Sequence, residues 1–204
     1  MALSNYTELQ SSISSWLQRD DLTAQIPDFI NICESYLNDD LRLRSMITEA
    51  TVAPSQIDSY VDLPDGFIEA IAFVDESNNT IQQIHHDMLQ GLDSANSNYY
   101  SVTSRINFPG TTSSVLSYTM TYYKGLDLAA NTTNDVLTNH PNLYLYGSLL
   151  QAEMFLKNDK RIGTWHDLYD KAMRKANSRS ADSLIKLRTD HPSTRGTYNI
   201  LSDS

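Results

Sequence analysis

The amino-acid sequence predicts an α+β fold in which N- and C-terminal helix pairs form a four-helix bundle. Between the pairs it predicts an inserted small antiparallel β-sheet region, and after them an extended C-terminal tail. Apolar residues recur at helical spacing near both ends, alternate with a period of two over about 46–124, and become sparse after residue 177. We therefore expect one folded domain at 1–177 and an extended arm at 178–204.

The N-terminal helix pair is predicted at about 6–19 and 26–44. The first helix has apolar residues at the i, i+4, i+7 and i+8 positions, which places them on one face: Leu9, Ile13, Trp16 and Leu17. Pro27 suits the start of the second helix, because the first turn leaves backbone N–H groups without intrahelical partners. The two helices should form an antiparallel pair.

The middle of the chain predicts strands. Short strands are expected at 47–53, 59–63, 105–108 and 115–124, and the last alternates most clearly. The segment 67–75 is apolar on both faces, so it should be a central, covered strand. The segment 93–114 is rich in Ser, Asn, Thr and Gly and should form surface loops around the strand at 105–108.

The C-terminal helix pair is predicted at about 141–157 and 160–177. The first of these helices is apolar nearly all round and should be buried, whereas the second has one continuous apolar face. The remaining tail is polar, and Pro192 and Gly196 should exclude a long helix there.

Charge and composition restrict the function. The net charge of −10 and the lack of a visible Lys/Arg cluster argue against a nucleic-acid-binding protein. One cysteine, Cys33, excludes an intrachain disulfide. The chain shows no signal peptide, and no stretch approaches the roughly 20 apolar residues that span a bilayer, so we expect synthesis in a reducing cytoplasm and no membrane contact.

No catalytic, cofactor or metal site is predicted. His85 and His86 are adjacent, so on a helix they point about 100° apart and cannot easily share a metal. None of the common catalytic or phosphate-binding motifs occurs. The 12 tyrosines against 5 phenylalanines suit interfaces, although core packing explains one ring of each tyrosine pair equally well.

A motif at 139–173 is more specific. A proline-initiated Tyr-Leu-Tyr-Gly helix is followed by a small residue, a charged turn, and a second helix with Trp and Tyr four residues apart. These positions are Asn139, Pro141, Tyr144, Leu145, Tyr146, Gly147, Ala152, Asp159, Trp165 and Tyr169. The motif resembles the signature of the head-to-tail adaptor (connector) proteins of short-tailed bacteriophages. The segments 26–30 and 62–67 resemble the corresponding parts of that family.

The resemblance implies a structural virion protein at the head–tail interface, made in the host bacterial cytoplasm. It implies a homo-oligomeric ring of twelve subunits that docks on the portal protein, extends the DNA channel and carries a tail or nozzle protein. Genomic DNA would pass without specific binding. The motif positions expected to pack the helices are Pro141, Tyr144, Tyr146, Gly147, Leu150, Trp165 and Tyr169.

The arm cannot bury enough apolar surface to fold alone, so we expect it to order on the portal or on a neighbouring subunit. Its docking residues would be Leu184, Ile185, Leu187, Arg188, Arg195, Tyr198, Ile200 and Leu201.

Three alternatives stay open at this point. One is another tail component, such as a tail-completion or nozzle protein. Another is a non-viral helical interaction module that binds a peptide between its helix pairs. An enzyme would require a pocket that joins His85 or His86 to distant carboxylates.

Overall fold

The computed structural model describes residues 3–54, 59–92, 98–109, 117–157 and 159–189. Its helices are α1 (Tyr6–Leu17), α2 (Ile26–Asp40), α3 (His86–Leu89), α4 (Leu128–Asn131), α5 (Asp135–Asn139), α6 (Pro141–Phe155) and α7 (Asp159–Thr189), with a 3-10 turn at Arg44–Met46. Its strands are β1 (Ile47–Val52), β2 (Tyr60–Asp62), β3 (Phe67–Asp75), β4 (Gln82–Gln83), β5 (Tyr99–Val102), β6 (Arg105–Asn107) and β7 (Tyr118–Lys124).

Local sequence explains where the long helices begin. The Asn5 side chain accepts a hydrogen bond from the Glu8 backbone N–H at 2.9 Å and so caps α1. Pro27 lies in the first turn of α2, and Pro141 is the first residue of α6. At both sites the missing N–H would have had no partner within the helix.

The described strands form two sheets. One has three antiparallel strands in the order β1-β7-β3, and the other has four in the order β2-β6-β5-β4. In the second sheet, β4 pairs with β5 in parallel, whereas the other neighbours are antiparallel. Alternation in β7 buries Tyr118, Met120 and Tyr122, as the sequence predicted.

Two hydrophobic cores lie on opposite sides of the three-stranded sheet. The helical core joins α1, α2, α6 and α7, with the partly buried Ile68 and Tyr123 packed against it from the sheet. The strand core centres on an aromatic cluster, in which the Phe73 ring lies 4.6 Å from Tyr100 and 5.1 Å from Tyr118 between centroids. The three-stranded sheet therefore packs against both cores, one on each of its faces.

The predicted fold class is wrong in its architecture. Within the described ranges the protein is an α+β fold with seven α-helices and two sheets of three and four strands, and it is not a four-helix bundle with a small sheet inserted. The strands bury a core of their own, so they are a second structural layer. Helices α3, α4 and α5 were missed because each has four or five residues, too few for a periodic apolar pattern.

Two strand predictions also need correction. Strand β3 lies at the edge of its sheet, where Ile71 is 46% exposed, whereas the sequence predicted a central, covered strand. Register shifts between Phe67 and Glu69 and between Ala70 and Ala72 disturb the alternation, so apolar residues appear on both faces. The segment expected to form loops contains β5, whose Tyr100 and Ser101 are buried.

The predicted extended tail is corrected as well. Helix α7 does not end at residue 177 but continues to Thr189, and it contains 31 residues. Ala, Lys, Arg and Leu favour helix at these polar positions. Pro192 and Gly196 lie outside the described residues, and a proline does not exclude helix several residues upstream of it.

Candidate functional site

The motif glycine lies where three helices meet. At Gly147 on α6, an added Cβ would overlap the Sγ atom of Cys33 on α2 and would lie 3.0 Å from Cε2 of Tyr169 on α7. Leu150, one turn later on α6, is 9% exposed. Glycine therefore allows α2 and α7 to approach the same point of α6.

The motif tryptophan joins α6, α7 and α1. Trp165 is 8% exposed, and its ring centroid lies 6.0 Å from that of Tyr146 and 5.6 Å from that of Trp16. Tyr146 is half-buried, whereas Trp16 is half-exposed. These ring contacts pack the N-terminal part of α7 against α1 and α6.

The motif tyrosine takes part in a buried polar network. The Tyr144 hydroxyl donates to Glu34 Oε1 at 2.8 Å and accepts from Asn134 Nδ2 at 2.7 Å. The Leu128 backbone N–H donates to the same Glu34 oxygen at 2.9 Å. The network connects α2, α4, α6 and the start of α5, so one carboxyl group sets the positions of four helices.

Burial dominates the electrostatics of this network. Desolvation raises the pKa of Glu34, although its hydrogen bonds from Tyr144 and Leu128 act in the opposite direction. Burial and the nearby Glu34 carboxyl raise the pKa of the Tyr144 hydroxyl. Burial also raises the pKa of the Cys33 thiol to about 12. Cys33 is thus a small packing residue and not a reactive thiolate at neutral pH.

A groove of about 280 Å³ opens between α2, α6 and α7 above Gly147. Aromatic, acidic and amide side chains line it, and Tyr36, Asp40, Gln151, His166 and Asp170 form most of its rim. Tyr36 is 50% exposed and lies on the outer face of α2, whose opposite face packs on α6.

Tyr169, which lines this groove, has a hydroxyl without a hydrogen-bond partner among the described residues. Its Oη atom is buried and makes no hydrogen bond to any residue that the structure describes. Burial raises its pKa, and the nearby Asp40 and Asp170 carboxyls raise it further. The groove is therefore an acidic environment with an unused polar atom in its wall.

A second buried carboxyl pairs with a half-exposed cation. Glu153 on α6 is fully buried, and its Oε1 lies 3.0 Å from Nε of Arg161 on α7. This is an ion pair whose angles do not satisfy a hydrogen bond, and neither carboxylate oxygen has another partner within the described residues. The pair links the end of α6 to the first turn of α7.

The predicted histidine patch lies elsewhere, at the edge of the four-stranded sheet. His85 caps α3 and pairs with Asp87 at 3.3 Å, and His86 Nδ1 lies 3.1 Å from Ser101 Oγ. Among the described residues, no group of three or more His, Cys, Asp or Glu side chains is placed to hold a metal ion. The site around Gly147 is suited to close packing of helices.

The predicted arm residues fall into two groups. Leu184, Ile185, Leu187 and Arg188 belong to the last turns of α7, so this part of the arm is helical. The other four lie outside the described residues: Arg195, Tyr198, Ile200 and Leu201.

Sequence reasoning missed two features. The first is the pairing of Glu34 with the Leu128 N–H and the Tyr144 hydroxyl, 94 and 110 residues later, because a single carboxylate carries no sequence signal for so distant a partner. The second is the uneven distribution of charge, which the net charge of the whole chain does not reveal. Residues 157–189 contain nine of the 15 Lys and Arg but four of the 25 Asp and Glu, so the charge is segregated along the chain.

Comparison with known families identifies one match. The family model described as SU10 adaptor protein matches residues 4–192, which include both sheets and all the helices described above. No curated protein matches the chain. Of the helices that the structure describes, none is both long and apolar enough to cross a membrane.

Proposed function

Because this chain belongs to the SU10 adaptor protein family, a family of phage head–tail adaptors, we propose that it forms the ring that connects the portal to the tail. Its general role is that of a structural component of the virion. The ring would dock on the portal, extend the DNA channel and offer the attachment surface for a tail or nozzle protein. The family resemblance implies twelve subunits.

The match over residues 4–192 is the observation that carries this proposal, because it covers both cores and not an isolated motif. The packing at Gly147 and the network at Glu34 are consistent with it. Both fix helix positions, and neither presents an activated nucleophile or a metal site among the described side chains. A rigid helical base is what a ring subunit needs in order to repeat one contact around an axis.

The acidic balance supports passage of DNA without retention. The net charge is −10, and carboxylates repel the phosphate backbone. The basic exception is the C-terminal helix, which we place away from the channel in this proposal.

We also propose that residues 178–204 dock on the portal or on a neighbouring subunit. The first part of this arm continues α7 as a helix to Thr189. Its apolar residues would then be covered by a partner: Leu184, Ile185, Leu187, Tyr198, Ile200 and Leu201. Arg188 and Arg195 would supply charge at the same contact.

Electron microscopy of the purified protein mixed with portal protein of the same phage tests the proposal. We expect a cyclic ring stacked on the portal with the full chain. Removing residues 190–204 leaves α7 whole and should weaken docking, and removing 178–204 should abolish it. The control is the full chain without portal. No association with the portal under any salt condition would refute the adaptor role.

A further inference from the structure

The outer face of α2 combines apolar and acidic side chains. Ile32 and Tyr36 lie one turn apart and are 43% and 50% exposed, although large apolar side chains on a helix usually face a core. Asp39 and Asp40 follow on the same exposed side and have no ion-pair partner among the described residues. Tyrosine is enriched at protein interfaces, and polar and charged side chains form their rims, so Tyr36 and Ile32 bordered by carboxylates fit an interface.

The groove at this face is suited to a cation. Tyr36 lies on its rim with Asp40 and Asp170, and the buried Tyr169 hydroxyl in its wall lacks a partner among the described residues. Carboxylates attract an ammonium or guanidinium group, and an aromatic ring can bind the same group through its face. The alkyl stem of a lysine or arginine would cover Tyr36 and Ile32 at the same time.

The outward face of α7 carries such cations. Lys171, Arg174 and Lys175 are exposed; Lys171 and Arg174 lie on the side of the helix away from Trp165 and Ala176, and Lys175 lies at the border of that side. Arg174 pairs with Asp170 of its own helix at 3.4 Å, whereas Lys171 and Lys175 have no ion pair within the described part of the chain. The chain thus holds two unlike and complementary surfaces.

We propose that the outward face of α7 in one copy docks on the α2 face of the next copy, with Lys171 and Lys175 directed at Asp39 and Asp40 around Tyr36. This inference rests on the ring proposed above and names the contact that builds it. Because the two surfaces differ, the contact is heterologous, and repetition by rotation closes a ring and not a two-fold dimer. Charge complementarity identifies the occupant as a second copy of this chain.

Reciprocal charge reversal tests the contact. One variant carries Lys171→Glu and Lys175→Glu, and the other carries Asp39→Lys and Asp40→Lys. Each alone should reduce the fraction of portals that carry a complete ring by about tenfold or more, because like charges then meet at every contact. Mixing the two variants should restore rings, since each contact in an alternating ring again joins opposite charges.

The matched control is Arg44→Glu with Lys124→Glu. It changes the net charge by the same amount at two exposed positions outside the groove and the α7 face. We expect wild-type rings from it. Far-UV circular dichroism and the urea midpoint establish that each variant is folded.

The outcomes separate this contact from the adaptor role. If the α7 variant forms rings as the wild type does, the contact is refuted and the adaptor role stands. If folded single variants fail and their mixture also fails, the reciprocal contact is refuted. If the wild type itself forms no ring on the portal, the adaptor role and this contact both fail. If the α7 variant forms normal rings but is no longer retained on DNA-cellulose as the wild type is, the α7 cations bind DNA, and their docking on a second copy is refuted.

Discussion

Alanine at position 147 probes the meeting point of α2, α6 and α7. Gly147 has space for no Cβ, because Cys33 Sγ occupies that position and Tyr169 Cε2 lies 3.0 Å away. Gly147→Ala should therefore destabilise the subunit in the wild-type background. In a Cys33→Ala background the sulfur is gone, and the same substitution should be neutral or stabilising.

The magnitude follows from two opposing effects. Replacing glycine by alanine in a helix gains about 1 kcal/mol. Overpacking a well-filled core costs about 1–3 kcal/mol. With Cys33 present, we expect the free energy of unfolding to fall by up to about 2 kcal/mol. Without the sulfur, the residual contact with Tyr169 should leave a change of about 0 to 1 kcal/mol in the stabilising direction.

Urea unfolding of the four proteins of this cycle provides the assay. Tryptophan fluorescence reports on Trp165 in the helical core and on the half-exposed Trp16 that contacts it, and circular dichroism verifies a single transition. Gly163→Ala on α7 is the matched control, because nothing lies within 4 Å of its added Cβ. It should stabilise by about 1 kcal/mol.

Two results would refute the reasoning. The first is an equal loss from Gly147→Ala with and without Cys33, which would mean that the sulfur is not what excludes a side chain. The second is a gain from Gly147→Ala as large as that from Gly163→Ala. Either would show that α2 and α7 do not approach α6 as closely as the structure has them.

Further substitutions test the buried carboxyls and the strand core. Glu34 has a higher pKa in the folded protein than the value of about 4.3 for an unfolded glutamate, so between these two values the folded state holds the proton more tightly. The free energy of unfolding of the wild type should therefore fall, relative to that of Glu34→Gln, as the pH rises through this interval. Urea titrations at several pH values measure this difference, and parallel pH profiles for the two proteins would contradict the prediction. Arg161→Met leaves the Glu153 carboxylate buried and unpaired and should lower the free energy of unfolding by about 1–3 kcal/mol. The loss should be smaller than for a fully buried ion pair because Arg161 is half-exposed. Adding Glu153→Gln should recover most of this loss in the same urea assay. Phe73→Ala removes the central ring of the aromatic cluster and should lower the free energy of unfolding by about 3–5 kcal/mol. A loss below about 1 kcal/mol by thermal unfolding would show that the cluster is loosely packed.

The sequence predicted those elements whose pattern is local and repeated. Apolar spacing and prolines placed the starts of α1, α2 and α6 at the observed residues, and strict alternation identified β7. The family resemblance, read from the motif around Gly147, is confirmed by the family match. Such patterns can be read from a single sequence because each involves only residues that are close together along the chain.

The architecture depended on information that no local pattern holds. Bulges in β3 broke the alternation and made an edge strand resemble a central one. Helix α7 continued through polar residues because helix propensity does not require an apolar face. The groove and the Glu34 network join α2 to residues about 100 positions later, and pairing over such distances cannot be read from spacing.

The separation of the two cores along the chain has a consequence for the order in which the protein folds during synthesis. The helical core joins residues that are far apart in sequence: Cys33 meets the backbone carbonyl of Leu143, 110 residues later. At ribosomal rates, α2 waits about 5–20 s for α6 to emerge. The strands between Ile47 and Lys124 are complete before then and bury a core that needs neither terminal helix pair.

We therefore expect the nascent chain to fold from its middle outward. Throughout that interval only α1 is available to cover Phe29, Ile30 and Leu37 of α2, although all three are buried in the finished protein. Closing so long a loop is also slow compared with local pairing. Helices α1 and α2 therefore pack into their core only after the strands have folded, and they are the segment that a ribosome-associated chaperone would bind.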